Sequence, residues 1–146
     1  MSAAERAGPD RARPDRPRIG PVTDPTPELQ ELLDATAVTR PGGGPPNIFA
    51  TLGHNPRMLR RFNQLGGTLL FRSSLPARER EIVILRVGWN ARSVYEFGQH
   101  TVIGRQAGLT DAEIAALAGG DTSVLADHEQ VLVAMADDLL DLVSLA

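Results

Sequence analysis

The sequence predicts an all-α domain, and three observations carry that prediction. Apolar side chains recur three and four positions apart along most of residues 28–146, whereas the alternating pattern of strands is nearly absent. Helix start and stop signals divide this stretch into segments of helical length. Of the 146 residues, 42% are apolar and 23% are charged, which is ordinary for one globular domain with a buried core. We expect a bundle of about six helices.

Residues 1–27 differ from the rest of the chain in composition. Pro, Arg and Asp dominate this segment, which contains almost no large apolar side chain. Such a segment buries too little surface to offset its ordering entropy, so we expect a disordered tail that precedes the helical domain at 28–146. No apolar stretch follows its basic residues, and its acidic residues are unlike those of a transit peptide. We therefore expect no targeting signal in it.

Proline and asparagine mark the first helices. Pro27 stands at a first-turn position and opens a short helix. The Arg-Pro-Gly-Gly-Gly-Pro-Pro run at 40–46 is a linker that no helix can cross. A short turn is expected over 48–53. Asn55 then caps a longer helix that runs to about Phe71, and its apolar side holds Leu59, Phe62, Leu65, Leu69 and Leu70.

Two helices follow in the middle of the chain. Pro76 starts a helix over 76–89 whose apolar residues lie nearly all round it, which predicts central burial; they are Ile82, Val83, Leu85 and Val87. After a break, a second helix runs over 93–107. Gly108 ends it as a left-handed cap, a conformation that glycine adopts without steric cost.

The last two helices complete the predicted bundle. The sequence Thr-Asp-Ala-Glu at 110–113 is a capping box, which opens a short helix that stops at Gly119. The final helix covers about 124–145 and has acidic residues on one face. The apolar residues at helical spacing on its other face are Val131, Leu132, Met135, Leu139 and Leu142.

The net charge of −3 conceals opposite charges in two regions. Residues 57–105 contain nine Arg and three acidic residues, whereas residues 106–146 contain eight acidic residues and no Arg or Lys. Few aromatic residues accompany the Arg residues, and several of these lie on otherwise apolar helices. We expect them to pair with the acidic final helix rather than to bind nucleic acid. All fifteen basic residues are Arg, which indicates a GC-rich bacterial genome.

The residue types present exclude several kinds of chemistry. The sequence contains no Cys, which excludes disulfides, thiolate metal sites and thiol redox reactions. His54, His100 and His128 are scattered, and no zinc or calcium motif is present, so we expect no metal and no cofactor. No apolar run approaches the ~18 residues of a membrane span. We expect a soluble, cytoplasmic protein that does not bind membranes.

One constellation of polar residues suits proton transfer. Ser93, Glu96 and His100 lie along one side of a single predicted helix, because they are spaced by three and four positions. A carboxylate one turn from an imidazole fixes its tautomer and raises its basicity, as in a general acid or base. The alternative is an exposed Glu–His pair that contributes only a few tenths of a kcal/mol. Spacing alone leaves both interpretations open.

Three motifs occur in a familiar order: Leu-Pro-Ala-Arg-Glu-Arg-Glu at 75–81, Tyr-Glu-Phe-Gly-Gln-His at 95–100 and Gly-Leu-Thr-Asp-Ala-Glu at 108–113. Together with the segment at 47–56, they resemble the carboxymuconolactone decarboxylase family of the alkylhydroperoxidase D-like superfamily. The similarity spans about residues 28–140. It implies an alkylhydroperoxidase D-like helical bundle and a homo-oligomer, commonly a trimer or hexamer, with the site near subunit interfaces.

The peroxidase branch of that superfamily uses a Cys-x-x-Cys-x-x-x-His helix and a relay Glu on the preceding helix. Alignment on His100 places Ser93 and Glu96 at the two cysteine positions and Glu81 at the relay position. A hydroxyl and a carboxylate cannot reduce a peroxide by forming a disulfide. The resemblance therefore implies no thiol peroxidase activity here.

The decarboxylase branch needs no thiol, and its resemblance implies a cofactor-free lyase for a small carboxylated or lactone metabolite of aromatic-compound breakdown. Its catalytic residues would be His100, Glu96 and Glu81, which move the proton. The substrate-binding residues would be Arg80, Arg86, Ser93 and Tyr95, with either Arg as the cation that holds the substrate carboxylate.

A second interpretation keeps the scaffold without the reaction. The chain would then be a non-catalytic helical oligomer or binding module of the same family. A buried His100 that faces Glu81 would favour the enzyme, whereas an exposed His100 would favour the module. The family usually continues beyond the helix at 124–145, so we expect this domain to be shortened at its C-terminus.

Overall fold

The computed structural model describes residues 17–36 and 44–144. This part of the chain forms seven α-helices and no strand, which confirms the predicted all-α fold. They are α1 (Pro27–Asp34), α2 (Asn47–Leu52), α3 (Pro56–Phe71), α4 (Ala77–Asn90), α5 (Val94–Gln106), α6 (Asp111–Leu117) and α7 (Asp127–Ser144). The predictions for residues 1–16 and 40–43 lie outside the described residues. None of the described helices is long and apolar enough to cross a membrane.

The chain divides into two compact units at the boundary between Arg60 and Arg61. In the first unit, the Oγ1 atom of Thr26 accepts a hydrogen bond from the Leu29 backbone and caps α1. Leu29 and Leu33 project from α1 onto the start of α3, where Leu59 is fully buried. These three leucines form the small core of this unit.

Part of the predicted tail contacts α2 within the same unit. The Val22 backbone N–H donates to the Ala50 carbonyl at 3.0 Å. The Nε2 atom of His54 lies 3.0 Å from the Gly20 carbonyl, which accepts its hydrogen bond. The turn predicted at 48–53 corresponds to the helix α2, so residues 17–36 and 44–144 form one more helix than the sequence indicated.

Helix α4 lies at the centre of the second unit, as its apolar circumference predicted. Ile82 and Leu85 are fully buried, and α4 packs against α5, α6 and α7. The other residues of this core come from α6, α7 and the segments before them; they are Leu109, Ile114, Leu117, Leu125 and Val133. The face of α4 between these neighbours also buries a charged residue, Glu81.

A tight turn makes α5 run antiparallel to α4. The Ser93 backbone N–H donates to the Gly88 carbonyl at 2.9 Å, and Arg92 takes the left-handed conformation (φ 55°) that this helix ending requires. The two helices then approach closely at glycines. A Cβ on Gly104 would lie only 3.3 Å from the Leu85 side chain, so glycine there allows α5 to lie against α4. The arrangement places His100 opposite Glu81.

Helix α7 differs from its prediction in both its start and its orientation. It begins at Asp127, not at about 124 as predicted, and a 3₁₀ turn over Thr122–Val124, capped by the Asp121 side chain, precedes it. The predicted inward face was also wrong. Its inward face instead holds Val133 and Ala136, and the larger apolar residues are exposed: Val131, Met135, Leu139 and Leu142.

The reason for this orientation lies in the ion pairs between α4 and α7. Arg78 donates from Nε to Glu129 at 2.6 Å, and Arg86 donates from two nitrogens to Asp137 at 2.7 Å each. Glu129 is buried, so its carboxylate would be costly on this face without Arg78. The predicted pairing of central Arg residues with the acidic final helix is confirmed. These pairs also turn Glu129 and Asp137 towards α4.

Candidate active site

Glu81 is a carboxylate with no exposed surface, set among the apolar residues of α4. Its Oε2 atom lies 2.6 Å from Nδ1 of His100, and its Oε1 atom accepts a hydrogen bond from Nε of Arg80 at 3.1 Å. Burial of an unpaired carboxylate costs several kcal/mol, and the hydrogen bonds to these two partners offset that cost. Glu81 therefore ties α4 to α5 through an imidazole.

His100 lies between two carboxylates. Nδ1 faces Glu81, and Nε2 lies 3.3 Å from Oε1 of Glu96, one helical turn earlier on α5. The imidazole is buried, whereas the Glu96 side chain is 44% exposed. The ring thus has a short contact on its inner side and a longer contact, next to solvent, on its outer side. The burial of the imidazole against Glu81 favours the interpretation as a proton-transfer site over that of an exposed Glu–His pair.

The two carboxylates decide the charge of the imidazole. Burial alone would lower the pKa of His100, but hydrogen bonds to Glu81 and Glu96 outweigh it and raise the pKa to about 9. The hydrogen bond from His100 in turn lowers the pKa of Glu96. At neutral pH the ring is an imidazolium with an N–H donor on both nitrogens. It is therefore equipped to give a proton, not to take one.

The two arginines proposed as substrate cations have different surroundings. Arg80 belongs to the cluster, because it contacts Glu81 and also donates from Nη1 to the Leu70 carbonyl at 2.7 Å. Arg86 lies in the contact between α4, α6 and α7, where it holds Asp137 and donates to the Leu117 carbonyl at 3.2 Å. The structure therefore brings Arg80, and not Arg86, into direct contact with the Glu81–His100 pair.

Ser93 and Tyr95 lie at the start of α5, within three positions of Glu96. Ser93 is the residue before the helix and is half-buried, and its side chain makes no capping hydrogen bond. Tyr95 is exposed in the first turn of the helix. Phe97 packs on Trp89 with ring centroids 5.6 Å apart and so fixes this end of α5 against α4.

Sequence reasoning missed one part of the site, the link from Arg80 to the Leu70 carbonyl at the end of α3. A backbone acceptor leaves no signal in residue type, so no pattern could have indicated it. Within residues 17–36 and 44–144, no three His, Asp or Glu side chains are grouped so as to hold a metal ion. What the described residues supply is a protonated imidazole, two carboxylates and an adjacent guanidinium.

Comparison with known families gives one result for this chain. The model of the carboxymuconolactone decarboxylase family matches residues 56–138, which is more than half of the chain. The matched range contains Glu81, Glu96, His100 and both arginines. Neither the curated proteins nor the solved structures gave a match.

Proposed function

The chain belongs to the carboxymuconolactone decarboxylase family, and from its site we propose that it is a cofactor-free enzyme which protonates a small carboxylated or lactone metabolite during decarboxylation. One observation carries the proposal: His100 is held between Glu81 and Glu96 with a pKa of about 9. Decarboxylation leaves a carbanion that needs a proton, and an imidazolium supplies one at neutral pH. Breakdown of aromatic compounds yields substrates of this class.

The proposed reaction begins with binding of the substrate carboxylate. Arg80 supplies the cation, because it contacts Glu81 beside His100, whereas Arg86 lies in the contact between α4, α6 and α7. As the bond from the carboxylate to the α-carbon breaks, carbon dioxide leaves and the electron pair stays on carbon as a carbanion or dienolate. A positive charge near that developing anion stabilises the transition state.

His100 then donates the proton from Nε2. The contact of Nε2 with Glu96 is the longer of its two contacts, and Glu96 is half-exposed, so we propose that the substrate takes its place. The proton adds to the carbanion and leaves His100 neutral. Glu81 keeps the ring oriented through Nδ1, and Glu96 returns a proton from solvent. Ser93 and Tyr95, at the start of α5 near Glu96, are the proposed contacts for the rest of the substrate.

The proposal is tested by carbon dioxide release from a panel of small carboxylated lactones, including carboxymuconolactone. His100→Gln should lower turnover by about 10²–10⁴-fold, because the proton donor is lost while a polar side chain of similar size remains. His128→Gln is the matched control, since His128 is an exposed histidine on α7. Turnover that survives His100→Gln would contradict the proposed role.

A second candidate function is a non-catalytic helical oligomer or binding module. The exposure of large apolar residues on α3 and α7 favours it, because such surfaces mark contacts with other molecules. The panel distinguishes the two functions. A wild-type chain that releases no carbon dioxide from any member would favour the module, whereas turnover that depends on His100 would favour the enzyme.

A further inference from the structure

The hairpin of α4 and α5 carries two rows of half-buried side chains, which we call the hairpin groove. Within each row the spacing is three and four positions, so the members are neighbours on one face of their helix. A helix turns by about 100° per residue, which places Arg80 and Ile82 on opposite sides of Glu81. Ile82 belongs to the core of the second unit, so the groove lies on the other side of the hairpin. Its members are Arg80, Ile84 and Val87 on α4 and Glu96, Gln99 and Ile103 on α5.

The row on α5 lies on the same side of the hairpin as the row on α4. Helical rotation places Gln99 on the side of His100 away from Phe97, and Phe97 packs against the core of the second unit. Nε2 of His100 lies 3.3 Å from Oε1 of Glu96, which belongs to this row. The nitrogen that carries the proposed proton is therefore directed towards the groove.

Ile84 is level with His100 along the hairpin. Two close approaches between the helices fix this level, because Ile84 is about midway between them on α4 and His100 is about midway between them on α5. The side chain that α4 places beside the reactive nitrogen is therefore apolar. The approaches are those of Gly88 and Gly104, where a Cβ would lie 3.5 Å from the Phe97 nitrogen and 3.9 Å from the Glu81 Cβ, respectively.

Gln99 is the uncharged polar member of the groove. It is half-buried, and its side-chain amide makes no hydrogen bond to residues 17–36 or 44–144, the part of the chain that the structure describes. An amide has two N–H donors and one acceptor oxygen, which are available to a ligand. Arg80 supplies a cation near the end of α3, where it donates to the Leu70 carbonyl. Apolar side chains with a few polar groups that orient a ligand are typical of small-molecule sites.

We propose that the hairpin groove binds a cyclic acid with a carbonyl group on its ring, and that the amide of Gln99 donates a hydrogen bond to that carbonyl. Arg80 holds the carboxylate, and Ile84 and Ile103 contact the ring. This inference rests on the proposed function, and it narrows the substrate class from a small carboxylated or lactone metabolite to a lactone acid.

Gln99 also acts on the charge that forms during the reaction. In an unsaturated lactone acid, the bond to the carboxylate breaks and carbon dioxide leaves. The electron pair is delocalised through the ring double bond onto the carbonyl oxygen. The N–H of Gln99 stabilises the negative charge on that oxygen until His100 gives its proton to a ring carbon and the carbonyl forms again.

Isothermal titration calorimetry of the full chain tests the hydrogen bond without the reaction. The two probes are 5-oxotetrahydrofuran-2-carboxylate, a saturated lactone acid, and tetrahydrofuran-2-carboxylate, which has the same ring without the carbonyl. The wild-type chain should bind the lactone acid about tenfold more tightly, because it makes one more hydrogen bond. Gln99→Met keeps a side chain of similar size without the donor, and it should bind the two probes equally.

Two further variants make the result specific. Gln106→Met makes the same change at an exposed position two turns later on α5 and should keep the tenfold preference. Ile84→Ala should weaken binding of both probes by a similar factor, about fivefold, because the ring loses an apolar contact while the carbonyl keeps its donor. A thermal melt establishes that each variant remains folded.

Turnover of an unsaturated lactone acid provides a separate measurement. Gln99→Met should lower kcat by about 10²-fold, whereas Ile84→Ala should mainly raise KM. A preference for the lactone acid that is lost in Gln99→Met supports the groove even where the wild-type chain turns over no substrate, a result that would contradict only the proposed function.

Three outcomes would overturn the inference. A wild-type chain that binds neither probe would exclude the groove as a site for cyclic acids. Equal binding of the two probes by the wild-type chain would mean that no group reads the ring carbonyl. A tenfold preference that survives in Gln99→Met would assign the donor to a different residue.

Discussion

Two ionic clusters lie one turn apart on α4, and in each a base stands between two carboxylates. Arg78 bonds to Glu113 and Glu129, and His100 bonds to Glu81 and Glu96. The arrangement of charge is similar, but the two bases differ in one property. A guanidinium keeps its proton at every pH that a protein meets, whereas an imidazolium can release its proton.

The Arg78 cluster holds three helices together. Arg78 also donates to the Gly108 carbonyl at 2.7 Å, and each of its carboxylates accepts a backbone N–H at the start of its own helix. These bonds tie α4 to the starts of α6 and α7 with a group that does not titrate. The His100 cluster joins α4 to α5 and, through Arg80, to the end of α3, and it contains a releasable proton beside solvent. The comparison indicates that α4 carries a structural cluster and a reactive one.

The largest expected effect comes from breaking the structural cluster. Arg78→Ala should lower the free energy of unfolding by about 2–3 kcal/mol, because the buried Glu129 carboxylate loses its charged donor. Urea denaturation of the full chain measures the change. Arg105→Ala is the matched control, since Arg105 pairs with Asp111 at the surface and should cost less than about 1 kcal/mol. Equal losses in the two variants would contradict the structural role of Arg78.

The pH dependence of stability should separate the clusters. Hydrogen bonds from Arg78 lower the pKa of Glu113 to about 2. The contribution of Glu113 to the free energy of unfolding is therefore present above about pH 4.5 and is lost as the pH falls towards 2. The raised pKa of His100, about 9, acts in the opposite sense. Its contribution is complete below about pH 6.5 and is lost as the pH rises through 9.

Urea denaturation between pH 2 and pH 10 tests this separation. His100→Gln should remove the decline above pH 6.5 and keep the decline in acid. Arg78→Ala should make the decline in acid smaller and keep the decline above pH 6.5, because the lowered pKa of Glu113 depends first on Arg78. An alkaline decline that persists in His100→Gln would show that another group causes it.

The smallest expected effect is that of Glu96→Gln. Glu96 is half-exposed and lies 3.3 Å from the ring, so its loss should shift the alkaline decline to lower pH by less than Glu81→Gln shifts it. The Glu81 contact is shorter and fully buried. The same denaturation series measures both shifts. A larger shift for Glu96→Gln than for Glu81→Gln would contradict the expectation that Glu81 has the greater effect on the pKa of His100.

Signals that act within a few residues predicted much of the fold. The capping box is present as predicted, since Thr110 and Glu113 exchange hydrogen bonds at the start of α6. Gly108 has the expected left-handed conformation (φ 93°). The burial of α4 at the centre of the second unit was predicted because apolar residues lie nearly all round this helix. These features depend on neighbouring residues, and a single sequence contains that information.

The orientation of α7 and the partner of Arg86 depend on distant residues. Spacing indicated an apolar inner face for α7, but Arg78 and Arg86 draw Glu129 and Asp137 towards α4 and turn the apolar row outwards. At the site, helical spacing found the Glu96–His100 pair. The placement of Glu81 beside His100 was predicted only from the family resemblance, because this contact joins residues 19 positions apart on two helices.

The central claim is that His100 is a proton donor at neutral pH. The most direct test is an NMR titration of the His100 ring in the full chain, assigned by comparison with His100→Gln. The expected pKa of His100 is about 9, with the imidazolium dominant at pH 7. A midpoint at or below about 6.5, the ordinary value for histidine, would mean that the carboxylates do not hold the proton and would contradict the proposed acid.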